Sequence, residues 1–292
     1  MTNAAELGSD APYVETVINY QDLSEFDGTP LVLDQVDVEK TTLRAEPHRV
    51  RIFNARRAAR RCGLDRSAFE LVPHRTAVTD FHDRRQIRDV YEPEIRALVQ
   101  TLTGARDVLI FGDVLRSESA EIRERSQMVP PGEQWDRSRQ AISRFAHVDW
   151  NRESVADFAG DIVGAKEAKK LLRRRYQLIN LWRGVETVFR NPLAVCDGST
   201  VAESDLVPWE TRYPPGPVYV RSRYGWQLKF NAMHRWYYYP SMTPDELLVF
   251  KLIDSDPARI QYAAHTAFED PTTPRDAGPR VSFEIRAICF FD

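Results

Sequence analysis

The strongest constraint on the fold is the final segment of the chain, 280–291, in which two kinds of side chain alternate. Every second residue is apolar or small: Val281, Phe283, Ile285, Ala287, Cys289 and Phe291. The opposite positions hold Arg280, Ser282, Glu284 and Arg286. A period of two is the period of a β-strand, whose successive side chains point to opposite faces. The segment is therefore predicted to be a strand with one apolar face and one charged face.

The C-terminal half contains further short segments of strand character, at 142–149, 176–183, 218–222, 225–232, 234–239, 247–254 and 260–267. One helix is predicted among them at 152–175, after Asn151 as the N-cap. Many short strands separated by turn residues are typical of a sandwich or barrel. We therefore predict an α+β protein whose core, residues 141–292, is a double-stranded β-helix (a jelly roll, cupin-like) with a helical insertion.

The N-terminal part, 13–116, is predicted to be an α/β extension of this core. Strands are expected at 14–18, 48–53, 69–72 and 107–111, and a helix at 84–103 that Gly104 ends. Residues 117–140 are polar and contain a Pro-Pro-Gly turn, so they form a candidate lid. Residues 1–12 are expected to be disordered, and 13–292 to form a single domain.

The charge of the chain argues against several classes of partner. Its 292 residues have a net charge of −3, which gives no basic field for nucleic acid. No apolar run reaches the roughly 18 residues of a membrane span, and the first residues do not resemble a signal peptide. The three cysteines match no disulfide or zinc pattern. We expect a cytoplasmic protein that binds a small molecule and neither nucleic acid nor membrane; its oligomeric state is left open.

Two histidines and one aspartate stand out as a candidate metal site. His147 and Asp149 are two residues apart on a predicted strand, so their side chains share a face. His265 lies on a later predicted strand. Two histidines and one carboxylate form the facial triad of non-haem Fe(II) oxygenases. The alternative is a strand histidine that is hydrogen-bonded to its neighbour.

The polar face of the last strand offers a carboxylate-binding pair. Arg280 can bind a carboxylate through two parallel hydrogen bonds, and Ser282 can add a third. The distal carboxylate of 2-oxoglutarate is the anion that an enzyme with this triad would need to hold. Arg286 and Arg275 are rival candidates for this clamp. The other alternative is a solvent-facing ladder of arginine and glutamate.

Further candidates surround these groups. Asn180 is expected near the co-substrate, unless it makes a structural hydrogen bond. Trp182, Trp236 and Tyr238 are candidates for binding substrate, with a barrel core as the alternative interpretation. Asp254, at the end of a predicted strand, is interpreted as a cap or turn residue.

Four strings of residues also resemble a known family. They are Asn-Leu-Trp-Arg at 180–183, Pro-Leu-Ala-Val-Cys-Asp at 192–197, Trp-Tyr-Tyr-Tyr-Pro at 236–240 and Ala-His-Thr-Ala-Phe at 264–268. Together they resemble the AsaB-type hydroxylase/desaturase family, which includes the fungal gibberellin desaturase and the cephamycin hydroxylation component CmcJ. The resemblance extends from about residue 14 to residue 291.

The resemblance implies an oxygenase that uses Fe(II), 2-oxoglutarate and O2. Such an enzyme would hydroxylate, desaturate or cyclise a natural-product intermediate by hydrogen abstraction, with release of succinate and CO2. By motif position it makes His147, Asp149 and His265 the iron ligands and Arg280 with Ser282 the co-substrate clamp. Two other interpretations remain: a cupin-like hydrolase or isomerase that does not use 2-oxoglutarate, and a non-catalytic jelly-roll binding protein.

Overall fold

The computed structural model describes residues 12–34, 37–58, 62–118, 139–140, 142–212 and 223–292. Its strands are β1 (Tyr13–Gln21), β2 (Leu31–Asp34), β3 (Ala45–Asn54), β4 (Phe69–Pro73), β5 (Asp107–Ser117), β6 (Arg139–Gln140), β7 (His147–Val148), β8 (Tyr176–Gly184), β9 (Leu193–Cys196), β10 (Leu206–Arg212), β11 (Arg223–Leu228), β12 (Trp236–Tyr238), β13 (Glu246–Asp254), β14 (His265–Ala267) and β15 (Val281–Phe290).

The helices are α1 (Glu92–Thr103), α2 (Arg152–Val163) and α3 (Ala165–Leu171). One α-helical turn (Arg84–Gln86) and one π-helical turn (Ile87–Tyr91) lead directly into α1. Short 3-10 turns lie at Val38–Lys40, Ala55–Arg57, Gly198–Thr200 and Glu203–Asp205. None of the helices in the described ranges has the length and apolar character needed to cross a membrane.

The described strands form two sheets. The larger sheet has the order β1-β3-β12-β9-β14-β7-β11-β10-β2, and the smaller has the order β4-β13-β8-β15-β5-β6. Most neighbours are antiparallel; β2 with β10, β3 with β12, and β5 with β6 are parallel. Strands of the N-terminal part therefore extend both sheets of the core. The predicted jelly-roll architecture is confirmed.

Two apolar cores explain the alternation that dominates the C-terminal strand. One core lies between the sheets; the other lies between the smaller sheet and α1. The second core receives Phe283, Ile285, Ala287 and Cys289 from β15. The charged face of β15 therefore points between the sheets, where Arg286, and Arg280 directly before the strand, are 3% and 4% exposed. The solvent-facing ladder considered for this strand is wrong.

The predicted helices are partly confirmed. Asn151 caps α2, and its side chain accepts a hydrogen bond from the Ser154 amide at 3.0 Å. The single helix at 152–175 is wrong, because the backbone takes a φ of +79° at Gly164 and divides it into α2 and α3. The helix ending at Gly104 is confirmed, with φ at +71° there.

Several strand boundaries differ from the prediction. The segments 142–149 and 260–267 contain only the short strands β7 and β14. Strands β2, β6, β9 and β10 were not predicted. All four residues of β9 are buried, so this strand has no polar alternation that could reveal it. The predicted strand at 218–222, the terminus 1–11 and most of the candidate lid at 117–140 lie outside the described residues.

Asp254 does more than close a turn. Its carboxylate accepts from the Asp256 amide, as a turn residue would, but its side chain is fully buried. It also accepts from Arg175 at 2.8 Å, from Gln177 at 2.8 Å and from Lys251 at 3.2 Å. Burial would raise the pKa of Asp254, but the hydrogen bonds from Arg175 and Gln177 and the charge of Lys251 lower it to about 2. The cap interpretation was thus incomplete, because Asp254 holds a buried charge cluster together.

Replacing Asp254 with asparagine is expected to lower the free energy of unfolding by about 3 kcal/mol at pH 7, because the buried Lys251 and the partly buried Arg175 lose their carboxylate partner. A lowered pKa in the folded state means that the stabilisation is complete above the unfolded value of about 3.9. The stabilisation decreases below that pH and is lost as the pH falls through the folded-state pKa of Asp254, about 2. Urea unfolding of both proteins at pH 7 and pH 3 should therefore give a smaller difference at pH 3. An equal difference at both pH values would contradict this account.

Candidate active site

The two histidines and the aspartate singled out in the sequence meet in one buried cluster. His147 on β7 pairs directly with His265 on β14, and Asp149 follows β7 at once. The Oδ1 atom of Asp149 lies 3.3 Å from His147 Nε2 and 3.7 Å from His265 Nε2. One ligand atom from each side chain lies within 4.8 Å of the other two. Ligands at about 2.1 Å from one ion and at right angles are about 3 Å apart, so the cluster has the size of a metal site.

Hydrogen bonds orient both imidazole rings. His147 Nδ1 lies 2.7 Å from the carbonyl oxygen of Phe145, and His265 Nδ1 lies 3.5 Å from that of Ala263. A proton on Nδ1 leaves the lone pair of Nε2 facing Asp149. Burial, and after it the neighbouring His147, lowers the pKa of His265 to about 3. The ring is therefore neutral, which is the form that binds a metal.

The carboxylate of Asp149 divides its two oxygens between different partners. Oδ2 accepts from Arg286 Nη2 at 2.9 Å and Nε at 3.1 Å, and from Asn180 Nδ2 at 3.3 Å. Oδ1 faces the histidines. Burial would raise the pKa of Asp149, but the charge of Arg286 holds it well below its ordinary value. The group is therefore a buried anion with one oxygen directed at the cluster.

Arg286 belongs to a row of alternating charges. Its Nη2 also donates to Glu284 Oε1 at 2.8 Å, and Arg116 Nη2 donates to the same oxygen at 2.8 Å. Burial would raise the pKa of Glu284, but the charges of Arg116 and Arg286 lower it to about 2. The Nη1 atom of Arg286 donates to the carbonyl oxygen of Gly112 at 2.6 Å. Arg286 is thus occupied on every side.

Arg280 differs, because much of its guanidinium is uncommitted. Its Nη1 donates to the carbonyl oxygen of Asn191. Within the described part of the chain, Arg280 Nε and Ser282 Oγ are buried and have no hydrogen-bond partner. Burial, and after it the charge of Arg116, lowers the pKa of Arg280 to about 9, so it is charged at neutral pH. Arg275 is exposed on the loop that borders a cavity of about 940 Å³, which Arg280 also lines.

The remaining candidates are all buried. Asn180 lies against Asp149, and its Oδ1 atom has no partner among the described residues. The ring of Trp182 lies 5.5 Å from the Arg280 guanidinium. Trp236 donates its indole N–H to the hydroxyl of Tyr20 at 2.7 Å. Tyr238 packs edge-on against Phe268, and burial, then the charge of Asp270, raises the pKa of its hydroxyl. The assignment of these aromatic residues to substrate stays a prediction.

Sequence reasoning missed that Arg286 holds Asp149 in place, and it missed the groups around Arg286. Arg286 entered only as a rival clamp, and neither Arg116 nor Gly112 was considered. A glycine inside a strand pattern often marks a bulge, and Gly112 lies within β5. Gly112 was therefore the one feature of the sequence that could have indicated a bulge at this point.

Comparisons with known proteins agree with this geometry. A family model described as "Oxidoreductase/YMDC permease-like domain" matches residues 18–290. Hydroxylase/desaturase CTB9 of Cercospora beticola is 31% identical, over 96% of this chain and 88% of its own. The alpha-ketoglutarate-dependent dioxygenase phiK of a fungal species is 31% identical, over 78% and 79%. The chain belongs to the hydroxylase/desaturase family of Fe(II)- and 2-oxoglutarate-dependent oxygenases.

A solved structure of this family has the same fold. The iron and alpha-ketoglutarate-dependent endoperoxidase NvfI superposes with a TM-score of 0.79 at 25% identity, over 97% of this chain and 99% of its own. The predicted family, the jelly-roll core and the class of Fe(II)- and 2-oxoglutarate-dependent oxygenase are thereby confirmed. This family membership removes both alternatives, the cupin-like enzyme without 2-oxoglutarate and the non-catalytic binding protein.

Proposed function

We propose that His147, Asp149 and His265 hold Fe(II), and that Arg280 with Ser282 binds the distal carboxylate of 2-oxoglutarate. The observation that carries the proposal is the pair of unpartnered polar atoms on Arg280, directly before β15, and on Ser282 within it. A buried guanidinium edge and a buried hydroxyl two residues apart on one strand face are costly unless something pairs with them. A carboxylate satisfies both, because it accepts from the guanidinium and from the hydroxyl together.

The cluster fits ferrous iron through the chemistry of its donors. Two imidazoles and one carboxylate on one side of an ion leave the other positions open. His147 and His265 come from directly paired strands, and the ionised Asp149 supplies the single negative charge. With all three buried, few water molecules compete for the metal.

Arg280 is the best of the three candidate clamps. Arg286 is committed to Asp149, Glu284 and Gly112, and Arg275 is an exposed loop residue. Trp182 lies beside the Arg280 guanidinium and limits how a bound carboxylate can approach it. Asn180 lies opposite Arg286 on the neighbouring strand and donates to Asp149, and its Oδ1 atom is buried without a partner among the described residues.

When bound, Fe(II), 2-oxoglutarate and O2 supply oxidative decarboxylation to succinate and CO2, coupled to removal of hydrogen from the substrate. The protein fixes the ligand atoms, holds the co-substrate by its far end and excludes water. We infer that the substrate is a small natural-product intermediate that is hydroxylated, desaturated or cyclised. Trp182, Trp236 and Tyr238 are the aromatic residues proposed to shape its pocket. The cysteines Cys62, Cys196 and Cys289 are free thiols, which supports a cytoplasmic location.

The first experiment needs no knowledge of the substrate. The protein is titrated anaerobically with Fe(II) and then with 2-oxoglutarate, and the weak visible charge-transfer band of an iron-bound 2-oxo acid is recorded. We expect the band in the wild type. Iron binding without a band would refute the assignment of Arg280 and Ser282 as the clamp, and absence of iron binding would refute the metal site.

A further inference from the structure

We propose that Arg286 is a positioning residue that fixes the Asp149 carboxylate so that only Oδ1 is offered to the metal. The inference rests on the proposed metal site and extends it to a residue that would not touch the ion. It is based on the different partners of the two oxygens of Asp149. Oδ2 accepts hydrogen bonds from Arg286 and Asn180, whereas Oδ1 faces both histidines.

The Arg286 side chain is itself held from three directions. Glu284 accepts from Nη2, the Gly112 carbonyl accepts from Nη1, and Nε and Nη2 grip Asp149. The ring of Trp150, the residue after Asp149, lies 5.7 Å from the guanidinium. The planar guanidinium of Arg286 cannot rotate while these contacts are in place. Its two hydrogen bonds therefore fix the orientation of the Asp149 carboxylate.

A β-bulge supplies one of these contacts. Opposite β15, the register of β5 shifts between the pairs Glu284↔Val114 and Arg286↔Phe111, which places one extra residue in β5. Gly112 lies in this bulge with a φ of +63°, a conformation that favours glycine. The bulge lies where the Gly112 carbonyl reaches Arg286 at 2.6 Å. The bulge in β5 thus provides a hydrogen-bond acceptor for Arg286, beside the proposed metal site.

The positioning role differs from a purely electrostatic one. A fixed positive charge near a metal opposes binding of a dication. If Arg286 acted only through its charge, replacing it with lysine would leave the metal affinity unchanged, because lysine has the same charge. A residue acting through the two-point grip on Oδ2 cannot be replaced by lysine, which has a single ammonium. Outer groups that orient a ligand are worth about 10–100-fold in metal affinity.

The test measures Co(II) affinity by absorption titration of the full chain, for two matched pairs of variants. Arg286→Lys is compared with Arg183→Lys, a change at a buried arginine on β8 that donates to His74. Gly112→Ala is compared with Gly104→Ala, where φ is +71° at the end of α1. Thermal unfolding of all four variants shows that they are folded.

We expect Arg286→Lys to weaken Co(II) binding about 10–100-fold and Gly112→Ala about tenfold, with both controls unchanged. The coordination spectrum of Co(II) should also change in the two test variants, because a released carboxylate can bind through both oxygens. If the wild type binds Co(II) and both test variants bind it equally well, the positioning role is wrong while the metal site stands. If Arg286→Lys does not fold, Gly112→Ala alone decides between these outcomes. If the wild type does not bind Co(II), the proposed metal site itself is overturned.

Discussion

Asp149→Asn is expected to abolish substrate-dependent formation of succinate, with a loss of about 10³-fold or more, equivalent to about 4 kcal/mol. The amide has nearly the same shape as the carboxylate, but it is neutral and a poor ligand for iron. Asp149 supplies the only carboxylate of the metal cluster in the described residues, and the neighbouring Glu284 is held by Arg116 and Arg286. The measurement is Fe(II) affinity together with turnover of 2-oxoglutarate.

The matched control is Asp205→Asn. Asp205 is also buried, and its carboxylate accepts from Asn231 and the Ala202 amide and contacts His234. Losing that charge should lower the thermal stability without changing Fe(II) affinity. Retention of activity in Asp149→Asn, or an equal loss of iron binding in both variants, would show that the ligand assignment is wrong.

Arg280→Ala is expected to weaken 2-oxoglutarate binding about 10²–10³-fold, because a buried charged pair loses one partner. The loss should depend on the far end of the co-substrate. 2-Oxovalerate has the same 2-oxo acid group but no distal carboxylate, so it should bind the variant and the wild type about equally. The charge-transfer band with each 2-oxo acid measures both affinities without turnover.

Arg275→Ala is the control for the clamp. Arg275 lies on the loop beside the same cavity but is exposed. Its removal should leave the preference for 2-oxoglutarate over 2-oxovalerate intact. If Arg275→Ala removed the preference and Arg280→Ala did not, the clamp would belong to the loop.

The sequence predicted the polar groups of the site better than their partners. The alternation in 280–291 placed Arg280, Ser282, Glu284 and Arg286 on one face, and the structure has them so. Whether that face meets water or the interior is not contained in the alternation, because it depends on which strands cover it. The contact of Arg286 with Asp149 joins residues distant in sequence, and no local pattern predicts such a pair.

The fold was predictable where local chemistry is strong. Asn151 and Gly104 set helix ends through capping, and both were identified. Gly164 was overlooked, although a glycine inside a helical pattern is a recognised break. Short strands such as β7, β9 and β14 depend on their neighbours for hydrogen bonds, so their bounds follow from the assembled sheet.

The position of β15 has a consequence for biosynthesis. This strand lies between β8 and β5 in the smaller sheet, yet it is translated after every other described strand. While the ribosome is still making it, the facing edges of β5 and β8 have no partner, and unpaired edges promote aggregation. The nascent chain therefore cannot complete this sheet during most of its synthesis. Production of the enzyme should respond strongly to chaperone supply and to low expression temperature.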